Sequence, residues 1–84
     1  MNYTLFIQRN AQKELATLPS NIYHQIKQTI FELSTNPRPI GCRKLTGRNG
    51  WRIRIGNYRV IYEIDDKKNT VLILHIGHRR DVYR

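Results

Sequence analysis

The chain has 84 residues, 39% of them apolar, which fits one small domain over 1–84 that buries roughly 60–65% of its extended surface. The apolar content argues against a disordered chain, and fifteen Lys and Arg against six Asp and Glu give a formal charge of +9, ten of the fifteen being Arg. No stretch approaches the ~20 apolar residues of a membrane helix, and the single cysteine, Cys42, excludes an intramolecular disulfide, so a reducing, cytoplasmic setting is expected.

In chain order, "NYTLFIQ" alternates, with Tyr3, Leu5 and Ile7 on one side, and predicts a first strand. The amino terminus lacks a basic segment followed by an apolar run, so no secretory leader is expected. Asn10 is a candidate cap for a helix that carries Ala11, Leu15 and Leu18 at helical spacing. "LPSN" breaks that helix, and Ser20 is a candidate cap for a second one. Ile22, Ile26, Ile30 and Leu33 form its apolar stripe, with Phe31 beside it. "STNPRPIG" ends it with two prolines and a glycine.

The remainder reads as strands. "GWRIRI" puts Trp51, Ile53 and Ile55 on one face, Arg52 and Arg54 on the other. "GN" at 56–57 is a hairpin turn. "YRVIYEID" puts Tyr58, Val60, Tyr62 and Ile64 on one face and Arg59, Ile61 and Glu63 on the other. "DDKKNT" is a second turn, and "VLILHIGH", apolar on both faces, predicts an interior strand. The expected fold is α+β: a two-helix hairpin packed on one face of a mainly antiparallel four-stranded sheet, in the order β-α-α-β-β-β.

Charge is concentrated. Between 37 and 62 there are seven basic residues (Arg38, Arg43, Lys44, Arg48, Arg52, Arg54 and Arg59) and no acid. Such a cluster is the footprint of a polyanion partner, nucleic acid before membrane, and guanidinium suits bidentate phosphate contact. The helices must cover the Ile/Val/Tyr face of the sheet. The opposite face then gathers Arg52, Arg54 and Arg59, converging with His78, Arg79 and Tyr83 at the end of the last strand. The competing account is that these arginines deter edge-to-edge pairing.

The segments "WRIRIGNYRVIYEI" and "IGHRRDVYR" together resemble the RelE toxins of the RelE/ParE superfamily, and the likeness runs over nearly the whole chain. The resemblance implies a RelE-like fold and a toxin of a type II toxin–antitoxin system. It implies a ribosome-dependent endoribonuclease that enters the 30S A site, cuts mRNA and inhibits translation. A cognate RelB-like antitoxin would hold it inactive in a hetero-oligomer. The ParE branch of the same fold instead implies a DNA gyrase inhibitor without nuclease activity. A third reading is a nucleic-acid-binding module with no chemistry. By motif, the basic pair of the meander falls on Arg52 and Arg54, the "YR" arginine on Arg59, the arginine near the end on Arg79 and the terminal tyrosine on Tyr83. Well-studied RelE proteins have lysine where this chain has Arg52 and Arg54. An arginine, with a pKa above ~12, keeps its proton, so the pair suits a phosphate clamp and the general base is left open.

Metal-free RNA cleavage needs an aligned 2′-OH that loses its proton, stabilised charge on phosphorus, and a proton for the departing 5′-oxygen. Arg59 and Arg79 are the candidates for charge stabilisation, with Arg52 and Arg54 holding the backbone. Arg43, Lys44 and Arg48, in the loop after the helices, are expected to contact RNA. His78 has the side chain for acid or base work near neutrality; the alternative is a surface histidine. His75, on an apolar strand, reads as packed or hydrogen-bonded, and His24 lies on the second helix away from the cluster. Glu63 is either a base or an ion-pair partner orienting Arg59. Tyr83 offers a stacking ring or a hydroxyl near the reacting oxygens. No Cys/His cluster has metal-ligand spacing and no glycine-rich phosphate loop is present, so neither metal nor cofactor is expected.

Overall fold

The computed structural model of the chain describes residues 2–78. Strand β1 (Thr4–Ile7) leads into helix α1 (Arg9–Ala16) and helix α2 (Ser20–Leu33). Strands β2 (Arg43–Lys44), β3 (Trp51–Ile55), β4 (Tyr58–Asp65) and β5 (Thr70–His78) follow. They form one sheet in the order β1-β5-β4-β3-β2, with β1 parallel to β5 and every other pair antiparallel. The expected α+β class and element order are present, with one strand more than the four anticipated. The addition is β2, whose two residues are too few to carry an alternation signal.

Leu5 and Ile7 of β1 turn toward the helices, while Thr4 and Phe6 turn away. The helix starts differ from the anticipated caps. Asn10 and Ser20 lie inside the first turns; Gln8 and Pro19 occupy the cap positions, neither with a side-chain cap bond. The Gln12 amide instead donates to the Ile7 carbonyl at 2.8 Å. Pro19 suits its boundary because its carbonyl accepts from the Tyr23 N–H at 2.8 Å while it has no N–H of its own to satisfy. After α2, the Ser34 carbonyl accepts from the Tyr3 N–H at 2.6 Å, tying the helix end to the start of β1.

Ala11, Ile26, Ile30 and Leu33 from the helices close over Ile53, Val60, Tyr62, Val71, Ile73 and Ile76 of the sheet. Burying one such aliphatic side chain contributes about 1.5–3 kcal/mol. Tyr62 is fully buried and donates its hydroxyl to the Pro37 carbonyl at 2.8 Å, pinning the segment after α2 to the centre of the sheet. Burial, together with the neighbouring Cys42 thiol, pushes the Tyr62 phenol well above its ordinary pKa. The β3–β4 hairpin turns at Gly56 and Asn57. Gly56 has φ +61, the left-handed value that the first central position of a type II′ turn requires. At the next turn, Asp65 Oδ1 accepts from the N–H groups of Lys67 and Lys68, both at 3.0 Å.

The β4–β5 ladder contains one irregularity. Ile61 pairs with His75 and Tyr62 with Ile73, so Leu74 is the extra residue of a bulge on β5. Ile73 and Ile76 both belong to the helix-covered core. Leu74 and His75 between them face the other way.

Candidate functional site

Pairing register decides which basic residues meet. Arg43 stands opposite Arg52, Arg52 opposite Ile61, and Ile61 opposite His75. One step along, Arg54 stands opposite Arg59, and Arg59 opposite Gly77. Directly paired residues share a sheet face, so Arg43, Arg52, Arg54 and Arg59 lie together on the face that the helices leave uncovered. Neighbouring strands lie about 4.8 Å apart, which spaces the four guanidinium-bearing side chains over a patch the size of a dinucleotide.

Their environments differ. Arg59, on the central strand β4, is only 7% exposed, and Gly77 opposite it presents no side chain. Arg54 and Arg43 are exposed and Arg52 is half-buried. A cavity of about 330 Å³ is lined by Gly41, Arg43, Arg52 and Arg54. Gly41 holds φ +98, so the loop bounding this cavity takes a backbone conformation that other residues adopt only with strain. Three like charges around one cavity repel one another, and an anion placed among them relieves that repulsion. A second cavity, of about 560 Å³, mixes signs: Lys44, Lys67 and Lys68 share its lining with Glu63, Asp65 and Asp66. It has no such preference for an anion.

Three expected members of the basic cluster lie elsewhere. Lys44 pairs with Trp51 and therefore sits on the opposite face from Arg43; its ammonium lies 5.8 Å from the centre of the Trp51 ring. Strand alternation separates the two neighbours, where a loop would have left them together. Arg38 forms a two-point ion pair with Asp66, at 2.8 and 3.3 Å, and its guanidinium lies 5.2 Å from the Trp51 ring centre. The Tyr3 hydroxyl donates to the same carboxylate at 2.7 Å. The hydrogen bonds from Arg38 and then Tyr3 hold the Asp66 carboxyl below its ordinary pKa. Arg38 is thus a strut between the loop after α2 and the β4–β5 turn. Arg48 is exposed in the β2–β3 loop, which the Leu45 N–H closes onto the Gly50 carbonyl at 3.0 Å.

The structure does not place His78 where the sequence reading put it. His78 pairs with Tyr58, on the helix side, and the two rings meet edge to face at 5.7 Å. It does not share the face of Arg59, because the ladder pairs Arg59 with Gly77 and so turns the next residue over. His75, read from the sequence as packed or hydrogen-bonded, is exposed and on the arginine face, where the bulge at Leu74 turns it outward. Its Nδ1 lies 3.9 Å from Glu14 Oε1, and the same Glu14 oxygen accepts from the Ile76 N–H at 2.9 Å. No alternation pattern in "VLILHIGH" signals that outward turn. Glu63 shares the face of Arg59 but lies four residues along β4 and lines the cavity of mixed charge. The expected Arg79 and Tyr83 fall outside the described residues. Among the described residues, no three His, Cys, Asp or Glu side chains are grouped as a metal site, and no helix is long and apolar enough to cross a membrane.

A small α+β domain with an arginine-lined sheet face matches one known class over nearly its whole length. Residues 5–83 match the family of ParE toxins of type II toxin–antitoxin systems, parDE. The chain belongs to the RelE/ParE superfamily of toxins of type II toxin–antitoxin systems. It is similar to toxin RelG of Mycobacterium tuberculosis, 38% identical over 88 residues, covering 100% of this chain and 99% of that protein. It is similar to the mRNA interferase toxin RelE of Escherichia coli, 32% identical over 82 residues, covering 94% of this chain and 85% of that one. Among solved structures, it superposes on a chain of the RelBE2 toxin–antitoxin complex from Mycobacterium tuberculosis with a TM-score of 0.83 and 32% identity, covering 94% of this chain and 100% of that one. A chain of the archaeal RelE–RelB complex from Pyrococcus horikoshii gives a TM-score of 0.84 and 30% identity, covering 96% and 99%.

Proposed function

We propose that this toxin is a ribosome-dependent endoribonuclease that cuts mRNA in the ribosomal A site without a metal ion and so stops translation. The observation that carries the reading is the gathering of Arg43, Arg52, Arg54 and Arg59 on the face opposite the helices, three of them around a single cavity. In the reaction, the 2′-oxygen forms a bond to phosphorus as the bond to the 5′-oxygen breaks. The negative charge that builds on the non-bridging oxygens is met by guanidinium groups, which donate to two oxygens at once. Arg59 is assigned this role because its burial excludes water and strengthens the interaction. Arg52, Arg54 and Arg43 hold the backbone on either side, and Arg48 contacts RNA further along the loop. Arg79 and Tyr83, by their place in the motif, supply a further guanidinium and a stacking ring. His78 supports Tyr58 in this reading and does not touch substrate. The name of the E. coli relative, an mRNA interferase, supports the same chemistry.

The partner is a RelB-like antitoxin, by extension from the RelB–RelE complexes in which solved relatives are found. It offers an acidic or amphipathic segment that neutralises the basic face in a cytoplasmic hetero-oligomer. Induction in cells tests the function. The expected result is translation arrest with cuts mapped inside translated reading frames, abolished by Arg59→Ala. The ParE description of the matching family keeps gyrase inhibition as the second reading. DNA breaks and filamentation with intact mRNA would establish that one and overturn the nuclease.

A further inference from the structure

We propose that His75 is the general acid of this site, donating a proton from its Nε2 to the departing 5′-oxygen, with Glu14 as its positioning residue. The inference rests on the endoribonuclease reading and names a group that reading lacked. The arginine face needs a proton donor, and its guanidinium groups are poor ones. Four observations place His75 there. It is the histidine on the arginine face: Ile61 separates it from Arg52 in one row across the sheet, about 10 Å between backbones at two strand spacings. It is the diagonal neighbour of Arg59, whose direct partner is Gly77 two residues further along β5, a relation that sets such backbones about 7–8 Å apart. A phosphate held by Arg52 and Arg59 therefore lies within reach of the ring. The side chain is exposed, and a bulge at Leu74 turns it outward, a distortion of the ladder recurrent beside active sites.

The fourth observation is Glu14. It reaches from α1 across the end of the sheet, where β1 has stopped and β5 runs on. Its Oε1 accepts from the Ile76 N–H at 2.9 Å, which anchors the carboxylate, and faces His75 Nδ1 at 3.9 Å. A carboxylate at ion-pair distance on the Nδ1 side of the ring leaves Nε2 for substrate, and a short closing movement on substrate binding would bring it into hydrogen-bond reach. The charged groups around the ring are thus Glu14 from α1, Arg59 from β4 and, across Ile61, Arg52 from β3. The proton balance is complete. The imidazolium gives its Nε2 proton to the 5′-oxygen as the phosphorus–oxygen bond breaks, and the 2′-OH proton leaves to solvent or to a base on the ribosome.

The test uses toxin and a ribosome programmed with a short synthetic mRNA carrying either the natural 5′-oxygen or a 5′-bridging sulfur at the A-site linkage. A thiolate departs without a proton. His75→Gln, checked for folding by thermal melting, is expected to slow cleavage of the oxygen linkage by about 10²–10⁴-fold, the range of a general acid, and to cut the sulfur linkage at the wild-type rate. Glu14→Gln is expected to show the same selectivity more weakly. Equal slowing on both linkages, or cleavage of the oxygen linkage within threefold of wild type, would overturn the assignment while leaving the nuclease in place. Wild-type toxin that cuts neither mRNA would instead overturn the nuclease reading.

Discussion

The face assignment makes a quantitative prediction about salt. Each phosphate neutralised on a single strand contributes about −0.7 to the slope of log affinity against log salt. The four arginines of the face, Arg43, Arg52, Arg54 and Arg59, contribute four contacts and hence about −2.8 of slope, or 4 × −0.7. Between 50 and 200 mM salt, where log 4 is about 0.6, affinity for a short single-stranded RNA should fall about 50-fold through these contacts. Replacing Arg43 and Arg54 by Ala removes two contacts, so this contribution should halve to about −1.4 and its loss over the same interval shrink to about sevenfold. Both side chains are exposed, so the fold should tolerate the change. Lys44→Ala removes the same unit charge one residue from Arg43 but on the other face, beside Trp51. It should leave the slope within about 0.2 of wild type. Fluorescence anisotropy of labelled RNA across a salt series measures all three. A slope that responds to Lys44→Ala as strongly, per charge removed, as to the double replacement of Arg43 and Arg54 would mean that net charge, rather than the register-defined face, sets binding.

Three further outcomes concern stability. Tyr62→Phe leaves the buried Pro37 carbonyl without its donor, and should lower unfolding free energy by about 1–3 kcal/mol in urea titration; an unchanged midpoint would mean that the bond does not anchor the loop. Leu33→Ala, at a fully buried position under the sheet, should cost about 2–5 kcal/mol by the same measurement. Asp66 is held below its ordinary pKa of 3.8 by Arg38 and Tyr3. A depressed carboxyl contributes stability above the unfolded-state value and loses it as pH falls through the folded value. Thermal melts should therefore drop below about pH 4 in wild type, and Asp66→Asn should be less stable at neutral pH and flatten that acid limb. An identical acid limb in both proteins would remove Asp66 from the account.

Much of the layout was legible from residue pattern. Ile22, Ile26, Ile30 and Leu33 repeat with the helical period, and Trp51, Ile53 and Ile55 alternate against Arg52 and Arg54. The structure keeps those faces. Pattern failed where it was too short or locally broken. Two residues of β2 hold no period, so Arg43 and Lys44 read as one basic pair, although a strand divides them between faces. A bulge shifts alternation by one residue without leaving a mark in composition, so the pattern does not show that His75 joins the arginine face and His78 the helix side.

The sequence by itself determined the charge and the order and period of every element longer than β2, because these depend on neighbours within a turn of helix or a pair of strand residues. Register, the parallel docking of β1 beside β5, and the Arg38–Asp66 strut were decided only by tertiary structure. They join residues far apart in the chain, and their geometry follows from how the whole sheet closes under its helices. The arginine cluster belongs to both levels. Its charge is local, and its shape comes from the pairing of strands.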